Sequence, residues 1–287
     1  MRFEPVSTPP QGTGPEPETD PSFSDEMRCI ESVVEELHRT GWLTNQTRMW
    51  MASQWTLRRH WDWRSGEDWF FRHLLDGSRA ANRMGWQWVA GTATGRPYGF
   101  ARAQVERRAP GLCEGCGLRD RCPIEQYPEL NDPIPLGAPA RTGALTPDEA
   151  VAIAGPVDAV IHSTPDVVWI TAESLGDDDP ALAHWPELPV WFVFDETLLA
   201  RLRLSPKRLV FIAERLAELA EQRHLQIWRG RPAEVLADTA VATTYTPVPG
   251  WRRISEVIET AAIHPWPWLV RPARQRIQSY RAWRSSS

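Results

Sequence analysis

A repeated apolar pattern runs through the first half of the chain. Apolar residues three or four positions apart predict a first helix: Met27, Ile30, Val33, Val34 and Leu37. Gly41 is expected to end this helix, because glycine readily adopts the left-handed conformation that follows a last helical turn. Further helices are expected over residues 44–59, 67–75 and 78–84. This half of the chain is therefore predicted to be all-α.

The second half of the chain changes to short runs of β-branched and aromatic residues. These runs occupy residues 167–170, 190–194, 225–228 and 241–244. Amphipathic helical stretches separate them, most clearly residues 207–222. Continuous apolar strands that alternate with helices predict a parallel sheet covered on both faces. The predicted fold class is α/β plus all-α, with a helical segment followed by a parallel-sheet, Rossmann-like domain.

Changes in composition suggest where the domains begin and end. Residues 1–21 are rich in Pro, Gly, Thr and Glu and have little to bury, so we expect a disordered tail. A helical domain is predicted over 22–130, a linker over 131–155 and the α/β domain over 156–287.

Composition and charge narrow the class of protein. No run of about 18 apolar residues occurs, which argues against a transmembrane helix. The first 20 residues lack the apolar segment of a secretory signal, so we expect a cytoplasmic protein without a membrane partner. The net charge is −5, yet residues 27–122 hold 15 Arg against 10 Asp and Glu. This imbalance indicates either a surface for a polyanion such as DNA or compositional drift.

Tryptophan is unusually frequent. The chain has 16 Trp residues, and eight of them lie between Trp42 and Trp88. An indole is large, and its N–H group needs a hydrogen-bond partner when buried. Such a density is typical of a large aromatic core, or of a site that uses indoles for stacking or electron transfer.

The four cysteines are Cys29, Cys113, Cys116 and Cys122. In a cytosolic protein, thiols at this density indicate a metal site rather than disulfides. Cysteine ligands suit either tetrahedral zinc or an iron–sulfur cluster. Spacing alone does not choose between them, and free structural thiols are the remaining alternative.

Four segments between Asn45 and Thr92 resemble the most distinctive part of the photolyase/cryptochrome flavoprotein family. They are residues 45–49 (NQTRM), 60–64 (HWDWR), 75–82 (LDGSRAAN) and 85–92 (GWQWVAGT). Their order and their gaps match the family pattern. The resemblance implies that the helical domain, residues 22–130, is an FAD-binding-like domain.

The resemblance also assigns roles to individual residues. Asn45 and Arg48 should lie beside the flavin and its phosphates, and Asp76 should approach the ribityl or adenine side. Asn82 matches the residue that faces flavin N5 and tunes its radical and reduced states. Ser78 stands where the family usually has Asp, so the redox tuning of this chain is expected to differ.

Two tryptophans match positions of the family's electron-transfer chain. The resemblance implies that Trp86 and Trp63 pass an electron to the excited flavin. The alternative is that both indoles only fill the core.

The cysteine pattern resembles the bacterial iron–sulfur branch of the same family. That branch has one Cys before the flavin segment and three after it, which implies a [4Fe-4S] cluster on Cys29, Cys113, Cys116 and Cys122, with zinc as the alternative.

The second half of the chain also has a counterpart in the family. Segments over residues 169–182, 189–195, 208–216 and 229–236 resemble the family's N-terminal α/β domain. The chain thus looks like a shortened member with its domain order rearranged. The family's first flavin-contacting block, a hydroxyl-rich helix start, is not recognisable in the sequence, so the FAD pocket is expected to be incomplete.

The resemblance implies a photolyase-like FAD protein with light-driven electron transfer for DNA repair or signalling. An active enzyme would be a carbon–carbon lyase. One alternative is a non-enzymatic subunit that shares a flavin with a second photolyase-like chain or with another copy of itself. Another is a DNA-binding protein in which a cluster has a structural role.

Overall fold

The structure, a computed structural model, describes residues 21–23, 27–92, 97–126 and 154–267. The predicted tail over 1–21 and the predicted linker over 131–155 lie almost entirely outside these ranges. Contacts divide the described residues into two compact units. One is helical and is built mainly from residues 21–126, and the other is α/β and is built mainly from residues 154–267.

The helical unit contains five α-helices and two short irregular helices among its described residues. These are α1 (Arg28–Thr40), α2 (Asn45–Ser53) with a π-helical turn (Gln54–Arg58), α3 (Trp63–His73), α4 (Arg79–Val89), α5 (Arg102–Arg108) and a 3-10 turn (Arg119–Arg121). The all-α prediction for this half is confirmed.

Two helix boundaries differ from the sequence expectation. α3 begins at Trp63, four residues early, and Ser65 Oγ donates to the Asp62 carbonyl at 2.7 Å to close its first turn. α4 continues past residue 84 to Val89. Gly85 does not end it, because Gly85 faces open space while Trp86 and Val89 are buried on the other side of the helix.

Tryptophans dominate the core of the helical unit. The five buried ones are at most 7% exposed and are Trp50, Trp55, Trp63, Trp69 and Trp86. Burial of indoles contributes a large apolar area to folding. The aromatic-core interpretation therefore accounts for most of the tryptophans in this segment.

The α/β unit is built on a six-stranded sheet. Its strands are β1 (Val160–Ile161), β2 (Val167–Ile170), β3 (Val190–Asp195), β4 (Leu225–Gly230), β5 (Val241–Thr244) and β6 (Thr260–His264). The connecting helices are α6 (Pro180–His184), α7 (Glu196–Leu202), α8 (Pro206–Ala220), α9 (Pro232–Val235) and α10 (Pro249–Ser255).

The strands lie in the order β1-β6-β5-β2-β3-β4, and all neighbours are parallel except β1 and β6. Every residue of β2 and of β5 is buried, as expected for central strands covered on both faces. The α/β prediction is confirmed, but the sheet is mixed and not wholly parallel as predicted, because β1 and β6 pair antiparallel. The antiparallel edge strand β1 was not predicted, because two exposed residues carry no strand pattern.

None of the helices in the described ranges is both long enough and apolar enough to cross a membrane.

Candidate functional site

An ion pair joins α2 to the turn after α3. Arg48 Nη2 donates to both carboxylate oxygens of Asp76, at 2.9 and 2.8 Å, and its Nε donates to the Leu43 carbonyl at 3.0 Å. Thr44 fixes the start of α2, because its hydroxyl accepts the Thr47 N–H at 3.2 Å. The structure thus brings together two of the residues that are predicted to lie beside a flavin.

The first turn of α4 carries Ser78 and Asn82. Ser78 Oγ accepts the Ala81 N–H at 3.5 Å, and the Asn82 N–H donates to the Ser78 carbonyl at 2.9 Å. Asn82 Nδ2 donates to the Glu67 carbonyl on α3 at 2.8 Å. This bond holds the Asn82 amide in one orientation and leaves its Oδ1 as an acceptor without a hydrogen bond from the described residues.

Glu67 is a site residue that sequence reasoning missed. Its side chain is 2% exposed, and its carboxylate accepts from Arg83 Nε at 3.0 Å and contacts Arg79 Nη1 at 3.5 Å. A buried carboxylate needs such partners, because desolvation of an unpaired charge is costly. The available signal in the sequence was an acidic residue inside the aromatic run of α3.

The predicted flavin residues lie at a surface that is open to solvent. The Asp76 and Arg48 side chains are 48% and 26% exposed, and Asn45 and Ser78 are also exposed. Asn45 Nδ2 donates only to Met49 Sδ, at 3.5 Å, so the structure does not bond it to the other four residues. The roles proposed for these side chains stay predictions.

The predicted electron-transfer tryptophans are both buried but are not stacked on each other. The Trp86 ring contacts Phe70 at 5.0 Å and Trp55 at 5.9 Å between centroids, in edge-to-face arrangements. Among the described residues, the ring contact of Trp63 is with the Arg64 guanidinium, at 4.6 Å. The aromatic neighbours of Trp86 are thus Phe70 and Trp55 and not Trp63. The electron-transfer roles of Trp86 and Trp63 stay predictions.

All four cysteines line one small cavity in the helical unit. Cys29 comes from α1, whereas Cys113, Cys116 and Cys122 come from the turns after α5. The volume of this cavity is about 10 Å³. The remaining walls are apolar or basic: Met27, Leu112, Ile124, Arg102 and Arg119. The structure thus gathers the complete predicted ligand set, although its members are up to 93 residues apart in the sequence.

The cavity borders the N-terminus of α1. Met27 provides no side-chain cap for α1, and the Arg28 N–H at the start of that helix donates to Cys116 Sγ at 3.5 Å. The positive end of a helix favours thiolates. Burial, followed by the charges of the three other cysteines, raises the pKa of Cys29 to about 12. Several thiolates therefore cannot coexist here without a compensating positive charge.

In the part of the chain that the structure describes, no group of three or more His, Cys, Asp or Glu side chains has the arrangement of a metal-ion site. A single zinc ion holds its thiolates about 2.3 Å away and so requires them close together. Neither the zinc nor the [4Fe-4S] prediction is shown by the cavity.

Comparison with known proteins matches the helical unit to one family. Residues 27–105 match the family model described as the FAD binding domain of DNA photolyase. The deoxyribodipyrimidine photo-lyase of Vibrio cholerae is 46% identical over 70 residues, which are 24% of this chain and 15% of that protein. The Escherichia coli protein of the same name is 43% identical over 70 residues with the same coverage. That of a Synechococcus strain is 44% identical over 61 residues, 21% of this chain and 13% of its own.

The chain spans about 15% of the length of these curated relatives. No solved structure matches the chain. The matched segment contains the Arg48–Asp76 pair, the start of α4 and the buried Trp86. Residues 27–105 of the helical unit are therefore similar to the FAD binding domain of DNA photolyase.

Proposed function

We propose that the helical unit binds FAD at the surface formed by α2, the turn after α3 and the start of α4. The observation that carries this proposal is the connected set of Arg48, Asp76, Ser78 and Asn82. Hydrogen bonds join Arg48 to Asp76 and Asn82 to Ser78, Gly77 alone separates the two pairs in the chain, and all four residues lie inside the segment that matches the FAD binding domain of DNA photolyase.

The chemistry of these residues fits a flavin dinucleotide. The Arg48 guanidinium is positively charged and partly exposed, as a diphosphate partner has to be. The Asn82 amide is held by Glu67 and presents an unused oxygen, which can accept a hydrogen bond from a protonated ring nitrogen. A bound flavin would supply one-electron chemistry. The protein would then orient the ring and tune its protonated states.

Light-driven electron transfer, for DNA repair or for signalling, is the activity that we propose for the loaded protein. In repair it would be a carbon–carbon lyase acting on DNA. The named relatives are deoxyribodipyrimidine photo-lyases, and the surplus of Arg over acidic residues between residues 27 and 122 favours a polyanionic partner. Trp86 is the residue proposed to donate an electron to the flavin.

A second candidate is a subunit that shares its flavin with another polypeptide. The exposure of the candidate flavin residues favours it, as does the exposure of large apolar side chains in the same unit. Trp42 and Met84 are 50% exposed, and Trp88 is 40% exposed. A second photolyase-like chain or a second copy of this chain would cover such a surface. Binding of FAD that appears only together with a doubling of mass in light scattering would favour this candidate.

We also propose that the cysteine cavity holds an iron–sulfur cluster, with zinc as the alternative. The donor set supports a thiolate-bound metal: four thiols, a helix N-terminus and two arginines meet there. A cluster is larger than a single ion and needs its thiolates further apart. This requirement is compatible with the finding that no side chains among the described residues are arranged to hold a single metal ion. Three of the thiols lie on turns and can adjust without breaking a helix. Free thiols of this kind suit the reducing cytoplasm.

For the α/β unit we propose a Rossmann-like domain. If its five parallel strands, β2 to β6, are numbered 1 to 5 along the chain, they lie in the sheet in the order 3-2-1-4-5. The first three strands extend the sheet to one side of β2, and the last two extend it to the other side, beginning with β5. Doubly wound nucleotide-binding sheets have this arrangement.

The FAD proposal is tested by titrating FAD into the full chain and following the flavin fluorescence. Arg48→Ala should weaken binding about tenfold or more, since a charge-assisted contact is lost. It should stay folded, because a partly exposed ion pair contributes only about 0–1 kcal/mol. Arg107→Ala, the same change on the exposed side of α5, is the control and should bind as the wild type does. Absence of saturable FAD binding by the wild type, alone and in dimers, would overturn the proposal.

A further inference from the structure

Arg58 is a partly buried cation near the cysteine cavity, and no carboxylate among the described residues pairs with it. It ends the π-helical turn, and its Nη1 donates to the carbonyl of Pro123, the residue after Cys122. Its Nε and Nη2 atoms are buried and have no hydrogen-bond partner among the described residues. Buried charged donors without acceptors are destabilising, so this position requires an explanation.

Two other arginines near the cavity are neutralised by carboxylates. Arg102 Nε contacts Glu106 at 2.8 Å, and its Nη1 contacts Glu125 at 3.0 Å. Arg28 contacts Glu35 at 3.1 Å.

Arg58 has no comparable carboxylate in the described ranges. The groups that act on its charge are Cys122 and Cys29, which come from two different elements of the cavity. The positive charge of Arg58 can therefore offset negative charge in the cavity, whereas the charges of Arg102 and Arg28 are already paired with carboxylates.

We propose that Arg58 is the charge-compensating residue of the cysteine site. Four thiolates carry more negative charge than a divalent metal centre offsets, and the excess has to be balanced inside the protein. The guanidinium of Arg58, fixed by Pro123 next to Cys122, supplies this balance. The residue thereby sets how firmly the site holds its metal centre and, for a cluster, its reduction potential. This inference rests on the proposed metal-binding role of the four cysteines.

The test compares three variants of the full chain, purified without oxygen. Arg58→Met removes the charge at similar length, and Arg58→Lys keeps the charge on a different head group. Arg59→Met is the control: it changes the net charge equally one residue away, on a side chain that stacks over Trp61 at 5.0 Å. Iron, sulfide and zinc are measured per chain, together with the rate of metal release to a chelator and, for a cluster, the potential by redox titration followed by electron paramagnetic resonance.

Arg58→Met should release the metal about tenfold faster and lower the ratio of reduced to oxidised cluster about tenfold at a fixed potential, a shift of about 59 mV for one electron. The potential should move downward, because loss of a positive charge disfavours the added electron. Arg58→Lys should recover most of both effects, and Arg59→Met should match the wild type.

Thermal unfolding with and without metal separates this role from a structural one. In the metal-free protein, Arg58→Met should be as stable as the wild type or more stable, because it removes unpartnered buried donors. In the loaded protein it should be less stable. A merely structural arginine would change both forms alike, and that result would overturn the proposal even if Arg58→Met folded poorly.

Two further outcomes are distinguishable. If the wild type holds a metal centre and Arg58→Met has the same release rate and potential, the proposal for Arg58 fails alone. If the wild type holds neither iron–sulfur nor zinc after anaerobic purification, the metal role of the cysteines and the role of Arg58 fail together, while the FAD proposal is unaffected.

Discussion

Replacement of Gly66 by alanine should destabilise the helical unit through one steric contact. Gly66 is buried on α3, and an added Cβ would lie 2.9 Å from Cζ2 of Trp86 and closer still to Cη2 and Cζ3. Ordinary carbon contacts are about 3.5–4.0 Å, so the ring would have to move by roughly 1 Å or more. Phe70 and Trp55 pack against the same indole and restrict this movement.

The magnitude follows from two opposing terms. Overpacking of a filled core costs about 1–3 kcal/mol, and the contact with three ring atoms puts Gly66→Ala near the upper end. The better helix propensity of alanine returns about 1 kcal/mol. The expected net loss is about 2 kcal/mol, or roughly a 30-fold change in the unfolding equilibrium.

Gly85 offers a matched control in the neighbouring helix α4. No heavy atom lies within 4 Å of the position that its Cβ would occupy. Gly85→Ala should therefore gain the propensity term alone, about 0.5–1 kcal/mol.

Hydrogen–deuterium exchange with mass spectrometry measures each unit separately within the full chain. Peptides from α3 and α4 should lose protection about 30-fold in Gly66→Ala and gain it in Gly85→Ala, while peptides from β2 and β5 stay unchanged. The packing argument is refuted if Gly66→Ala is as well protected as the wild type, or if both glycine variants change in the same direction.

Two further predictions concern a helix cap and a buried histidine. Ser78→Ala should lower the stability of the helical unit by about 1 kcal/mol in urea unfolding, whereas Ser78→Asp should stay within about 0.5 kcal/mol, because Asp caps a helix as well as Ser; equal losses in both would contradict a capping role. Burial, and then the charge of His184, lowers the pKa of His264 from 6.5, and its Nε2 accepts the Trp185 indole N–H at 3.0 Å. Since the neutral form is favoured in the folded state, this stability is present above about pH 6.5 and is lost as the pH falls through the lowered pKa. The urea midpoint of the α/β unit should drop over that range, and His264→Gln should flatten the drop; an unchanged slope would show that another group titrates.

The elements with a continuous pattern were readable from the sequence. α1 follows from its apolar period, and β2 and β5 follow from runs that are buried on both faces. The far end of α4 was not readable, because Gly85 is a helix breaker in isolation and only the burial of Trp86 explains why the helix continues. Local propensity gives way to tertiary packing there.

The sequence predicted those residues of the candidate site that belong to a recognisable motif. The motif singled out Arg48, Asp76 and Asn82, which the structure places near one another, and the cysteine pattern singled out the four residues that line the cavity. Contacts between distant side chains were out of reach. A single sequence does not show that Glu67 holds Asn82 or that Trp55 contacts Trp86. Nor does it show that two buried donor atoms of Arg58 have no acceptor among the described residues, because these facts depend on how helices pack.

The central claim is that the surface around Arg48, Asp76 and Asn82 holds a flavin. Mass spectrometry of the small molecules released from the full chain, purified in the dark without oxygen, tests it most directly. We predict FAD at up to one per chain in the wild type and a much lower amount in Arg48→Ala at equal yield of folded protein. Protein that releases no flavin, and that takes up none after incubation with FAD, would contradict the claim.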